Sequence, residues 1–284
     1  MNKITWSYIE IFQATLLIII LNSFPLLILE SNNNNQNLIE NFFVKSLVLF
    51  LSIFLSIFLS KKFKIPYKYS ISLAILVVIY TAIELSSLSS GKNSTLFYSI
   101  FSGTLITILS LALTHGKYNI SLKYFGFIKT KNIQLFGLAI MVWIICILII
   151  SFWTYFIIEY GEKLNLDILI PPENAKDLLK ETGNNILFML VIASIIAPIS
   201  EEIFFRFFVF LGLKNLFPNN KNILAAIISS VFFALIHIEP GSYLVTFILG
   251  LGFCWLYIRT KNILIPIFTH SLHNTISVIM VIQL

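Results

Sequence analysis

Charge is what this sequence has least of. Of 284 residues, 19 are Lys or Arg and 13 are Asp or Glu, so 11% of the chain is charged, against roughly 25% in a typical soluble domain. A water-soluble globule of this length cannot clothe its surface with so few charges. Disorder is excluded for the opposite reason: an unfolded chain needs low hydrophobicity and high charge, and 58% of this one is hydrophobic. The net charge of +6 does not mark a nucleic-acid binder, because the basic residues fall in short clusters between apolar runs and form no stripe along a face. Cysteine is equally scarce. Cys146 and Cys254 both lie inside apolar runs, so there is no disulfide framework and no zinc-type spacing. Strict period-two alternation is missing as well, which argues against a transmembrane barrel.

Long apolar runs are what the chain does have. A bilayer core of about 30 Å needs roughly 20 apolar residues. Nine candidate segments meet or approach that length, at about 4–29, 38–60, 70–89, 95–114, 132–158, 184–213, 222–238, 243–258 and 263–283. The expected fold is all-α, a polytopic transmembrane helical bundle of about 8–9 membrane helices. The first segment lacks the small-x-small site of a cleavable signal.

The loops set the expected orientation. Lys61, Lys62, Lys64 and Lys68 follow the second segment, and Lys117, Lys123, Lys129 and Lys131 follow the fourth. The loop after the fifth is acidic, with Glu159, Glu162, Asp167, Glu173, Asp177 and Glu181. By the positive-inside rule the Lys-rich loops and the N-terminus are cytoplasmic in a multi-pass protein of the cell membrane. Placing Lys214, Lys221, Arg259 and Lys261 inside as well requires 184–213 to cross once, as a long helix kinked at Pro198. Residues 171–183 resemble a short polar or interfacial helix in the outer loop. The organisation expected is therefore an N-terminal membrane half, 1–183, of unassigned role, followed by a functional core, 184–284.

In the first 180 residues nearly every charge sits at a segment end. The last third differs. Glu201, Glu202 and Arg206 lie within an apolar helix, His237 ends another, and His270, His273 and Asn274 lie inside the last. A charge at a membrane helix centre costs about 2.5–3.5 kcal/mol on insertion scales, so such residues mark a buried polar site or an ion path. Counted from the cytoplasmic ends, Glu201, His237, His270 and Asn274 all fall roughly 10–23 Å deep at 1.5 Å per residue. Glu202 and Arg206 are spaced i,i+4 and can pair on one helix face. Glu201 points away from that pair and is free for general acid/base chemistry. His270 and Asn274, also i,i+4, can face one cavity and donate to a developing oxyanion.

Glu201-Glu202-x-x-x-Arg206, Phe233-x-x-x-His237 and His270-x-x-x-Asn274 resemble, in order and spacing, the three motifs of the CAAX-protease and bacteriocin-processing (Abi) family. Ala197-Pro198 before the first motif and Pro266-Ile267 before the third strengthen the match. Phe207 stands where the family often has Gly. The resemblance covers about residues 184–284. It implies an integral-membrane glutamate-type endopeptidase acting on a membrane-associated peptide or lipidated protein. Glu201 and His237 would activate a water, His270 and Asn274 would hold the oxyanion, and Glu202 and Arg206 would support the site. No metal or other cofactor is implied, although Glu and His from three helices are also a donor set for zinc. H-E-x-x-H and G-x-S-x-G are both absent.

Structural roles compete with each of these readings. Glu201 and Glu202 can be a helix-end pair neutralised by Arg206. His237 can be a satisfied core histidine, and His270 with Asn274 an interhelical hydrogen bond. His273 reads as structural. At the level of the whole protein, the alternatives are a non-catalytic immunity or scaffold protein and an ion-coupled transporter using Glu and His as a relay.

Overall fold

The computed structural model describes residues 64–85, 94–128, 132–171, 179–180, 185–217, 222–237 and 239–283, together with Glu10, Thr15, Phe54, Phe58 and Lys61. The candidate segments at 4–29 and 38–60 and most of the 171–183 stretch lie outside the described residues. Among the described residues there is no strand, and the chain is an all-α membrane bundle. The helices are α1 (Tyr67–Leu85), α2 (Ser94–Leu111, extended by a π-helical stretch Ala112–Gly116), α3 (Ile133–Tyr160), α4 (186–216), α5 (Asn222–Leu235), α6 (Pro240–Thr260) and α7 (Leu264–Gln283). Among the described residues four stretches are long and apolar enough to cross a membrane: Phe97–Gly116, Ile133–Tyr160, Ile186–Lys214 and Pro240–Thr260.

Local chemistry sets the ends. The Asn132 side chain accepts from the Gln134 N–H and starts α3, and Asn185 does the same for α4 through the Phe188 N–H. Pro240 opens α6, where its missing N–H costs no helix bond. α3 exposes Ile144, Leu148 and Phe152. Such an apolar face is stable against lipid and unfavourable against water.

α4 runs unbroken through Pro198, as a single crossing requires. It is not uniformly α-helical: Ile192–Ile196 and Ile203–Phe210 are π-helical. A proline inside a helix lacks an N–H and its ring crowds the preceding turn, and a wider π turn just before it relieves both. The second π stretch buries Phe204, Phe205, Phe207, Phe208 and Phe210, which pack with Leu105, Phe233 and Tyr257 in the main core.

The loop between α2 and α3 is fastened to the α6–α7 turn. Tyr257 Oη donates to Phe125 O at 2.9 Å, Asn262 Nδ2 to Ile128 O at 2.8 Å, and Ile263 N to Gly126 O at 3.0 Å. Gly126 sits at φ 87°, and a Cβ there would lie 2.7 Å from Lys261 O, so only glycine fits. Two basic loops thus share one end of the bundle. At the other, α6 packs on the 3-10 turn Asp167–Leu169 of the acidic loop.

Candidate active site

The charged residues of α4 fall between its two π stretches. Ala197 N–H bonds to Ile192 O, five residues back. The next donor in that register would be position 198, a proline. Ala193 O is therefore left without a helix donor, and Asn274 Nδ2 of α7 supplies one at 2.7 Å. One Asn274 amide hydrogen is thus spent on the α4 backbone.

Glu202 and Arg206 are both fully buried. Arg206 Nε lies 3.0 Å from Glu202 Oε2. Neither atom completes a directed hydrogen bond, so the contact is ionic. The terminal guanidinium nitrogens have no hydrogen-bond partner among the described residues. They are flanked by aromatic faces, with Cζ 4.6 Å from the Phe233 ring centre and 5.3 Å from that of Phe253. Cation–π attraction therefore replaces the missing hydrogen bonds.

The other oxygen of Glu202 orients a histidine. Buried His270 places Nδ1 3.0 Å from Glu202 Oε1. The Nδ1–H donates to the Glu202 carboxylate, and Nε2 faces the site. Nε2 lies 3.8 Å from Glu201 Oε2. Phe253 stacks on the imidazole with ring centres 4.9 Å apart, and Phe233 meets it edge-on at 5.8 Å. The two adjacent carboxylates thus differ in environment. Glu202 is sealed between Arg206 and His270, while the Glu201 side chain keeps 22% of its surface open.

Glu201 opens on a cavity of about 370 Å³. α2 contributes Tyr98, Ser99 and Ser102 to its wall, and α4 contributes Ser200. Ile236, next to His237 in the chain, closes one side. The His237 Nδ1–H donates to Phe233 O at 2.8 Å, which leaves Nε2 its lone pair, and the ring meets Phe233 edge-on at 5.0 Å. A larger cavity of about 510 Å³ between α3, α5 and α6 is lined by apolar side chains and holds no carboxylate or imidazole.

The structure thus joins Glu201, Glu202, Arg206 and His270 in one cluster; His237 follows Ile236 of the cavity wall but is not itself among the lining residues, and its ring rests on Phe233. Asn274 is turned to the α4 backbone, and Trp143 Nε1 donates to His273 Nδ1 at 3.4 Å. Among the described residues no three His, Cys, Asp or Glu side chains are grouped to hold a metal ion. Sequence reasoning missed the α2 wall. Its local signal, Ser99-x-x-Ser102-Gly103 in an apolar helix, is too common to single out.

A match to a peptidase family covers one third of the chain. Residues 183–276 match the family model described as Type II CAAX prenyl endopeptidase Rce1-like. The chain is 39% identical over 95 residues to "Putative membrane peptidase YdiL" of Bacillus subtilis (strain 168), covering 34% of this chain and 38% of that one. It is 36% identical over 100 residues to "Membrane-embedded CAAX protease MroQ" of Staphylococcus aureus (strain USA300), covering 34% and 40%. A third relative, "UPF0177 protein YxdF" of Lactococcus lactis subsp. lactis (strain IL1403), is 37% identical over 90 residues, covering 31% and 48%. The matched stretch spans about two fifths to one half of the length of these relatives. No solved structure matches the chain. The family resemblance carried by the three motifs thus extends over residues 183–276.

Proposed function

We propose that the chain is an integral-membrane endopeptidase that hydrolyses a peptide bond in a membrane-associated peptide or protein. One observation carries the reading. A part-exposed Glu201 side chain stands on a cavity wall, with its buried Oε2 3.8 Å from an imidazole nitrogen whose ring is fixed by a second, sealed carboxylate. The match of residues 183–276 to a peptidase family supports it.

In the proposed reaction a water in the cavity gives a proton to the Glu201 carboxylate, assisted by the lone pair on His237 Nε2. Its oxygen bonds to the scissile carbonyl carbon, and the carbonyl oxygen becomes the oxyanion. His270, protonated on both nitrogens, donates from Nε2 to that oxygen while Nδ1–H stays on Glu202. The second amide hydrogen of Asn274 is the other donor. The proton on Glu201 then passes to the leaving nitrogen as the carbon–nitrogen bond breaks. Glu202 and Arg206 act as positioning residues. No metal takes part in this scheme, so a chelator leaves activity intact.

The test uses the full chain in proteoliposomes. Glu201→Gln and His237→Ala should keep the wild-type unfolding midpoint and lose cleavage of a membrane-inserted peptide. Full activity in either variant refutes the mechanism. Activity abolished by a chelator and restored by zinc refutes the metal-free step.

A further inference from the structure

The proposed chemistry sits on α4, on α7 and in the turn after α5, yet a wall of the Glu201 cavity comes from α2, outside the stretch that matches the peptidase family. Hydroxyls in membrane helices ordinarily bond back to the carbonyl four residues earlier. In α2 and its π extension Thr107, Ser110 and Thr114 do so, to Gly103 O, Ile106 O and Ser110 O. Ser200, on the opposite wall, does the same with Ile196 O. Ser99 and Ser102 do not. Both line the cavity, both are half-buried, and neither hydroxyl bonds any described residue. Neither oxygen is sealed off, so both hydroxyls stand open on the cavity with donor and acceptor capacity left for whatever occupies it.

From this we infer that Ser99 and Ser102 form the substrate-recognition wall of the cleavage site. They hydrogen-bond the backbone of a substrate segment bound in non-helical form. This rests on the peptidase reading above. A helical segment has no free backbone groups to offer, whereas an extended one carries an N–H and a C=O at every residue. Glu201 is the one charged residue lining the cavity among the described residues, and the rest of the lining is neutral. The site therefore takes uncharged residues on either side of the scissile bond. A substrate lysine there would pair with Glu201 and hold the base out of action. Ser102 also sits beside Gly103, where α2 approaches Ile196 of α4 closely, so bulk added at position 102 narrows the cavity.

The experiment uses the full chain in proteoliposomes and quenched-fluorescent peptides with an apolar tail. The peptides differ at one central residue: Gly, Ala, Leu, Phe or Lys. Ser99→Ala/Ser102→Ala should raise KM about tenfold or more with kcat nearly unchanged, the loss of two hydrogen bonds. Ser102→Leu should cut kcat/KM for the Leu and Phe peptides roughly tenfold relative to the Gly peptide. The Lys peptide should inhibit without being cleaved. In parallel, a benzophenone side chain at position 102 of the Glu201→Gln protein should crosslink the Gly peptide. One at Ile100, exposed on α2, should not.

Cleavage with an unchanged profile and no crosslink at 102 overturns the wall and leaves the peptidase reading standing. A crosslink at 102 without cleavage by the wild type upholds a peptide-binding wall and overturns the peptidase reading. Neither cleavage nor crosslink overturns both.

Discussion

Replacing Arg206 by leucine takes one charge from a fully buried pair and leaves the other. Glu202 has no exposed surface, so water cannot replace the guanidinium. Removing one partner of a buried ion pair costs about 3–5 kcal/mol, and the His270 Nδ1–H that remains on Glu202 Oε1 offsets only part of the lost charge. The contacts with Phe233 and Phe253 at 4.6 and 5.3 Å go with it. Glu202→Leu should cost a comparable amount, for the same reason in reverse. The double variant removes both charges and should cost well under the sum, since an apolar pair of similar volume is often neutral or better. The cysteines supply the assay. Cys146 and Cys254 are both buried, so a thiol-reactive dye labels them as the bundle opens in increasing denaturant. The coupling read from the cycle should be several kcal/mol in favour of the double variant. Should Arg206→Leu fail to fold, Arg206→Lys tests the same point: it keeps the charge, loses the planar fit between the rings, and should be intermediate. A loss below about 1 kcal/mol for Arg206→Leu, or additivity across the cycle, refutes the buried-pair reasoning.

Two further outcomes follow from the helix contacts. Asn274→Leu strands the Ala193 carbonyl, at a cost of about 1–3 kcal/mol. Adding Pro198→Ala restores a backbone N–H five residues on and should recover part of that loss, and equal stability of the single and double variants would break the argument. At Gly103 a Cβ would lie 2.5 Å from Ile196 Cγ2, whereas at Gly137 it would meet nothing within 4 Å. Gly103→Ala should therefore destabilise by about 1–3 kcal/mol while Gly137→Ala is neutral or stabilising by up to about 1 kcal/mol, a contrast read in the same denaturant series.

The helical membrane class was legible because a few charges in a strongly apolar chain leave no other solution. The single passage of α4 was legible from the distribution of lysines. The i,i+4 spacing of Glu202 and Arg206 led directly to their contact, since a helix brings such residues together whatever surrounds it. Asn274 shows where that reasoning stops. Its partner exists because a π turn precedes a proline, and the sequence shows the proline but not the register of the turn. The α2 wall was out of reach for another reason. Ser102 and Glu201 are almost a hundred residues apart, and nothing local to either residue announces the other. Depth counting brought Glu201 and His237 to overlapping levels. The i,i+4 rule separated the two carboxylates, giving Glu202 to Arg206 and turning Glu201 away; what neither depth nor spacing gives is that the second oxygen of Glu202 meets His270, which depends on how α7 packs on α4.

The fastening of the α2–α3 loop to the α6–α7 turn has a mechanical consequence. Through Phe125, Gly126 and Ile128 the loop that continues α2 is pinned to Tyr257, Asn262 and Ile263, and α7 with His270 leaves from the same knot. The helix bearing the serines and the helix bearing the histidine are hung from one hinge post. For the proposed peptide to enter, the end of the chamber away from this knot, on the side of Ile236, is the one free to widen. Spin labels bridging residues 128 and 262 should hold one distance with and without bound peptide, and a change there would show that the post itself gives way.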